Sequence, residues 1–301
     1  MEKKNNLRAW LYLAPLLILM AVFTFYPLIN AFIVSSYKGY LPLSGTADEI
    51  DFFYNFGVIL KNPLFKKAVI NTFIIAGVSV PVSILLSLLI AVSLKSIPKL
   101  KGFFQTIYFL PYVTNTIAIG MAFAFMFHED YGVINLILGW FGISPVNWLG
   151  GTASYAAQMI ALLILTIWNG LAFKILVFTS GLENIDKQYY DAAKIDSASK
   201  WTVFKRITVP LLSPLILYIS ITSVIGALKA YNSVVGLFGD VKLGAQNNSM
   251  ITIVAFVYQY KDGYTDKGYI SYAAAASIIL FFITAVISIL QTVVSKKRVH
   301  Y

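Results

Sequence analysis

Between two long apolar runs lies a polar, helix-prone stretch at residues 189–214, YYDAAKIDSASKWTVFKRITVPLLSP. Small side chains stand at Ala192, Ala193, Ser197, Ala198 and Ser199. Acids stand at Asp191 and Asp196, bases at Lys194, Lys200, Lys205 and Arg206, and prolines at Pro210 and Pro214. The chemistry this pattern supports is recognition: small side chains on one face let another protein's backbone approach closely, and the charges around them pair with that partner. The residues needed for bond-making are scarce. There is no cysteine, which excludes disulfides, thiolate metal sites and thiol nucleophiles. Two histidines, one of them penultimate, do not support a histidine metal centre. The thirteen acids fall in loops or at the ends of apolar runs, so an intramembrane catalytic pair has no members.

The elements that position this stretch follow from composition. The chain has 301 residues, of which 58% are hydrophobic and 12% charged. A soluble domain carries about a quarter charged residues. At least five apolar runs reach the ~20 residues that cross a ~30 Å hydrocarbon core. The expected class is all-α and polytopic; a β-barrel would show ~10-residue alternating segments instead. The net charge of +10 sits at the ends of apolar runs. Membrane topology explains it, and nucleic acid is not an expected partner. The basic start, MEKKNNLRAW, precedes an apolar run too long for a signal peptide, which is therefore expected to be retained as a transmembrane helix.

Six spanning helices are expected, at about 10–37, 68–94, 103–127, 154–180, 211–230 and 271–294, with kinks at Pro15 and Pro27 in the first. Placing the N-terminus, the 95–102 and 181–210 loops and the C-terminus on one side puts 14 Lys and Arg there and 7 on the other. The richer side is expected to be cytoplasmic, with both termini and the 189–214 stretch. The segments 131–142 and 250–260 are amphipathic and too short to span, which places them along the outer interface. Lys174 and Lys229 fall inside helices near their ends and are expected to snorkel to water, Lys174 toward the cytoplasmic end, with substrate contact as the alternative role. His128, Glu129 and Asp130 read as a solvated outer loop.

The 189–214 stretch resembles the coupling loop of bacterial ABC importer permeases, whose pattern is Glu-Ala-Ala, two residues, Asp-Gly-Ala, eight residues, Ile-x-Leu-Pro. The matching residues are Asp191, Ala192, Ala193, Asp196, Ser197, Ala198, Ile207, Val209 and Pro210. Asp191, Ser197 and Val209 depart in type; Ser197 stands where glycine would take a left-handed turn freely. The segments from Ala9, from Tyr131 and from Asn247 are similar to the MalF-type sugar permease subunits of these importers, binding-protein-dependent transport system inner membrane components. Their Gly-Gly-Pro stretch after the fifth helix is replaced here by GLFGDVKLGAQNN.

The resemblance implies a single permease domain over 1–301, with short coupling helices between the fourth and fifth spans, in a bacterial plasma membrane. It implies a second homologous permease, two ATPase subunits that bind ATP and Mg, and an extracytoplasmic binding protein that delivers a carbohydrate. No G-x-x-x-x-G-K-[ST] loop occurs, so nucleotide hydrolysis belongs to a partner and no cofactor is expected in this chain. Asp191 is expected to open the first coupling helix, where it would cap it or offset its dipole, or equally pair with an arginine of the ATPase; Ala192, Ala193 and Ala198 are expected against the ATPase. Trp201 and Phe204 should anchor the second helix, and Pro210 should start the fifth span.

The candidate solute path follows helical spacing. Thr166, Asn169, Gly170 and Phe173 share a face, as do Ser223, Ala227 and Tyr231, with Asn232 beside them; Asn115, Thr116 and Tyr112 are the polar members of the third helix. Bonding between neighbouring helices is the alternative role for these residues. A polyol phosphate such as glycerol-3-phosphate is the second substrate class, though it would want converging cations. A secondary transporter is the third reading; it would want internal repeats and midplane ion ligands, which the sequence does not display.

Overall fold

The computed structural model describes residues 5–95, 97, 101–239, 248–262 and 268–295. In chain order the elements are α1 (Asn5–Met20), α2 (Tyr26–Ser35), the short antiparallel pair β1 (Tyr37–Lys38) and β2 (Glu49–Ile50), α3 (Tyr54–Lys61), α4 (Pro63–Lys95), α5 (Lys101–Val113), α6 (Thr116–Met126), α7 (Val133–Trp140), α8 (Tyr155–Asn184), α9 (Lys187–Ile195), α10 (Lys200–Val203), α11 (Val209–Leu211), α12 (Ser213–Leu228), α13 (Asn232–Phe238), α14 (Ile253–Asp262) and α15 (Tyr269–Ser295). The helical class expected from composition is present.

Among the described residues four helical stretches are long and apolar enough to cross a bilayer: Arg8–Ser35, Pro63–Lys95, Tyr155–Glu183 and Tyr269–Ser295. A fifth is obtained if Lys200–Leu211 and Ser213–Leu228, bent by 68°, count together. The expected third helix is not continuous. Asn115 is extended (φ −60°, ψ 123°), and its Oδ1 accepts the N–H groups of Ile117 at 2.9 Å and Ala118 at 3.3 Å. An asparagine that satisfies the orphan donors of a new helix ends the old one. The fifth helix also ends early, at Leu228, and Tyr231 lies in a break (φ −146°, ψ −59°) before α13.

Prolines explain two further irregularities. Residues Ala21–Phe25 and Phe204–Thr208 are π-helical, and each stretch ends two residues before a proline, Pro27 and Pro210. A proline has no N–H and its ring crowds the carbonyl four residues back, here Phe23 and Arg206. A widened turn at those carbonyls relieves the clash. The kink expected at Pro15 has no such counterpart; Pro15 lies within regular α1.

The chain forms two compact units, one comprising residues up to Phe65 with Phe256–Phe281, the other Lys66–Ala255 with the residues after Phe281. In the smaller unit, Asn55 Nδ2 donates to the carbonyls of Ser35 (2.8 Å) and Tyr37 (2.9 Å), tying α3 to α2 and β1.

Among the described residues of the larger unit two apolar clusters stand out. One gathers Ile75, Ile119, Phe127, Leu162, Leu165, Val234 and Leu237; the other gathers Leu88, Ala91, Phe178, Leu182, Leu212 and Ile219. The densest helix contact is α6 against α13. It depends on two glycines: a Cβ on Gly120 would lie 2.6 Å from Gly236 Cα, and one on Gly236 would lie 2.7 Å from the Ile117 carbonyl. Residues 248–252 are stapled to the long helices. Asn71 Nδ2 donates to the carbonyls of Ser249 and Ile251, Tyr155 OH donates to Asn71 Oδ1, and Thr252 Oγ1 donates to the Ala230 carbonyl.

The two short amphipathic segments differ. On α7, Asn135 turns inward, bonding Glu129 and Val146 backbone and Trp148 Nε1, while Leu136, Trp140 and Phe141 stay exposed. The other segment departs from expectation: Met250, Ile251, Thr252, Ile253, Ala255 and Phe256 are buried within the chain.

Candidate functional site

Asp186 opens the candidate coupling segment. Its Oδ1 accepts the Gln188 N–H at 2.9 Å and caps α9. Asp191, expected to open this helix, lies within it instead, because the chain already finds a cap one turn earlier. Lys194 Nζ donates to Asp191 Oδ1 at 2.8 Å. That bond and the lysine's charge hold the exposed Asp191 carboxyl below the usual carboxylate range.

After α9 the chain reverses at Ser197, whose φ is +52°. The Ala198 N–H donates to the Ala193 carbonyl at 2.9 Å, and the Ser197 N–H to the Lys194 carbonyl at 3.0 Å. These are the paired bonds of a Schellman helix end with Ser197 in the left-handed position. The replacement of the family pattern's glycine by Ser197 puts this turn in question; the serine takes the left-handed conformation nonetheless. A left-handed non-glycine residue costs about 1–2 kcal/mol. Ser197→Gly is therefore expected to stabilise the protein by about 1 kcal/mol in thermal unfolding; a loss of stability would show that the serine side chain holds the turn.

The second half begins at Ser199, whose Oγ accepts the Thr202 N–H at 3.2 Å and caps α10. Trp201 and Phe204 stack with ring centroids 5.6 Å apart. Phe204 packs on the cluster of Leu88, Phe178 and Leu212, as an anchor should. Trp201 does not; it is 67% exposed and reaches the chain's packing through its stack on Phe204. Pro210 is the second residue of the three-residue α11 and Pro214 the second of α12, so the long helix expected to start at Pro210 starts instead after a sharp bend, at Ser213.

The small residues do not share one face. Ala192, Asp196 and Ser197 are exposed and Ala198 is half-buried. Ala193 is only 6% exposed and faces inward, because α9 lies on its own chain and turns one side toward α4 and α8. On that inner side a cavity of about 650 Å³ is lined by Val92, Lys95, Tyr190, Ala193, Ala198 and Phe204, among others.

The candidate path residues are also partly brought together. Phe173 on α8 stacks on Tyr112 of α5, with centroids 5.5 Å apart and planes at 20°. Asn169, Gly170 and Ser223 are half-buried, as are Thr116 and Tyr231; Asn115 and Asn232 are exposed. Thr166 spends its hydroxyl on the Leu162 carbonyl at 2.7 Å, and Asn115 spends its Oδ1 on capping α6. Ala227 is buried within the chain. Ser223, Ala227 and Tyr231 do not form a single stripe, since α12 stops before Tyr231.

Lys174 does not snorkel. It is 8% exposed, and Nζ donates to the Gly170 carbonyl at 2.9 Å. The side chain leans toward the helix N-terminus, as Cβ geometry directs, and Gly170 leaves room: a Cβ there would lie 2.8 Å from Nζ.

Against known proteins, a family model described as "Binding-protein-dependent transport system inner membrane component" matches residues 55–300. The chain belongs to that family. The lactose transport system permease protein LacF of Rhizobium radiobacter is 32% identical over 99% of this chain and 97% of its own length. The arabinooligosaccharides transport system permease protein AraP of Halalkalibacterium halodurans is 33% identical over 94% of this chain and 85% of its own. In fold, the chain is similar to the bacterial alginate ABC transporter solved in complex with an alginate pentasaccharide-bound periplasmic protein, with a TM-score of 0.77 at 21% identity over 98% of this chain and 96% of that one.

As an ABC importer permease of this family, the protein is a multi-pass inner-membrane component, and the polar residues that organise it are more numerous than those its sequence pattern singles out. Asp186, Tyr190, Lys95 and Thr208 all act on the candidate coupling segment and none belongs to the spaced motif. Asp186 carries a local signal, an acid one residue before a helical pattern. Lys95 lies about a hundred residues away and carries none.

Proposed function

We propose that this permease moves a carbohydrate, an oligosaccharide before a monosaccharide, delivered by an extracytoplasmic binding protein. The observation that carries this reading is the similarity to LacF over nearly the full length of both chains. The family's dependence on a binding protein supports the delivering partner. A second homologous permease would complete the path, and two ATPase subunits would supply ATP hydrolysis with Mg, leaving this chain without catalysis or cofactor. Six spans are proposed, α5 with α6 forming a broken third and the bent pair the fifth, with both termini cytoplasmic. One family match running through both compact units supports a single permease domain over 1–301.

In this scheme residues 189–214 form the cytoplasmic coupling elbow. Ala192, Asp196, Ser197 and Ala198 would meet the ATPase, while Asp191 and Ala193 shape α9 and Pro210 the exit. The stacked Tyr112 and Phe173, with Asn169, Gly170 and Ser223 nearby in the helices, would offer aromatic faces and polar groups to a sugar. The polyol-phosphate alternative is weaker, because Lys174 is occupied by Gly170. The test is ATPase activity of the reconstituted importer with its binding protein loaded with lactose, an arabino-oligosaccharide or glycerol-3-phosphate. Severalfold stimulation by a sugar-loaded protein alone is expected; stimulation by the phosphate alone would overturn the carbohydrate reading.

A further inference from the structure

The spaced motif says which residues would touch an ATPase, but not how a push on α9 reaches the membrane helices. One side chain on α9 answers that. Lys95 Nζ, at the end of α4, lies 4.1 Å from the centroid of the Tyr190 ring. The same Nζ donates to the Leu182 carbonyl in the last turn of α8 at 3.1 Å. The Tyr190 hydroxyl is 3.3 Å from Thr208 Oγ1, and Thr208 is 5% exposed. Thr208 is the last residue of the π-helical turn that leads, through Pro210, to the 68° bend before α12. The ring itself packs on the cluster containing Leu88, Phe178, Leu182, Leu212 and Ile219, which belong to α4, α8 and the α12 region.

We propose that Tyr190 is a positioning residue, a strut that converts movement of α9 into simultaneous movement of α4, α8 and α12. The inference rests on the coupling-elbow reading above. A flexible apolar side chain at this position would fill space without fixing direction. A rigid ring held by a cation on one side and a hydroxyl on the other transmits displacement in two directions, because those contacts leave it no alternative rotamer of equal energy. The π turn beside Thr208 is where such a push would enter α12, since it leads through Pro210 into the 68° bend.

The experiment uses the full importer in liposomes and reads sugar taken up per ATP hydrolysed, for the native chain and for Tyr190→Leu, Tyr190→Phe and Ala192→Glu. A role confined to folding lowers the amount of assembled importer and leaves that ratio unchanged. The strut predicts a fall of about fivefold or more for Tyr190→Leu, the lower end of typical coupling factors. Tyr190→Phe keeps the Lys95 contact and is expected to lie between Leu and native. If Tyr190→Leu does not assemble, Tyr190→Phe and Lys95→Met decide by the same ratio. A native ratio in the Tyr190 variants, with docking lost in Ala192→Glu, overturns the strut and leaves the elbow standing. Normal docking in Ala192→Glu overturns the elbow and the strut with it.

Discussion

Ala192→Glu is expected to leave the permease folded and to lower binding-protein-stimulated ATPase activity roughly a hundredfold. Ala192 is exposed on α9 and has no side-chain partner to lose. Glutamate is a good helix former, so α9 itself should tolerate it. The effect would come from the interface: a carboxylate desolvated against an ATPase without a matched partner costs about 2–5 kcal/mol, and about 2.7 kcal/mol is a hundredfold. The neighbouring Ala193→Asp should behave differently. Its site is buried in the chain's own packing, so an unpaired charge there costs several kcal/mol of folding, and the variant should be lost before assembly. Co-purification of the ATPase with each variant, beside its thermal stability, separates the two. An Ala192→Glu permease that retains and stimulates its ATPase would contradict the assignment of α9.

The second large effect is one of sign. Gly139→Ala, on the exposed side of α7 with nothing within 4 Å of the added Cβ, should stabilise by up to about 1 kcal/mol, the usual helical gain over glycine. Gly120→Ala should destabilise by about 1–3 kcal/mol. Its Cβ would meet the Gly236 backbone at 2.6 Å, and backbone cannot swing aside as a side chain can. α6 and α13 would separate and loosen the cluster of Ile119, Phe127, Val234 and Leu237. Thermal unfolding of the two variants in one detergent tests this. Stabilisation at Gly120 would mean that the two helices do not cross so closely.

Local chemistry makes part of this structure legible in the sequence. Apolar run length locates the long helices, and the family resemblance marks position 197 as a turn, though a serine there does not by itself announce the left-handed conformation it takes. Other features depend on contacts that no local window contains. Asn115 has the side chain of a helix cap, yet it sits in an apolar run long enough to hide the break it makes. Asp191 carries the family pattern's acid, but the cap of α9 is Asp186, an acid one residue before the helix that the spaced motif does not include. Ala193 resembles Ala192 and Ala198 in type, but packing toward Val92 and Lys95 turns it inward. The cost of charge in a membrane points Lys174 toward water; its direction is set instead by the lean of Cβ and by the space at Gly170.

The central claim is that the elbow between α8 and α12 is where the ATPase docks. The most direct test uses the absence of cysteine in the native chain, which lets a single introduced thiol report without background. Ala192→Cys and, as a control on the proposed outer face, Phe141→Cys would be treated with a short bifunctional thiol reagent in membranes containing the whole importer, with thiols also placed on the ATPase surface. The predicted result is cross-linking of the Ala192→Cys permease to the ATPase and none of the Phe141→Cys permease. Cross-linking of the Phe141→Cys permease and not of the Ala192→Cys permease would invert the proposed topology and contradict the account.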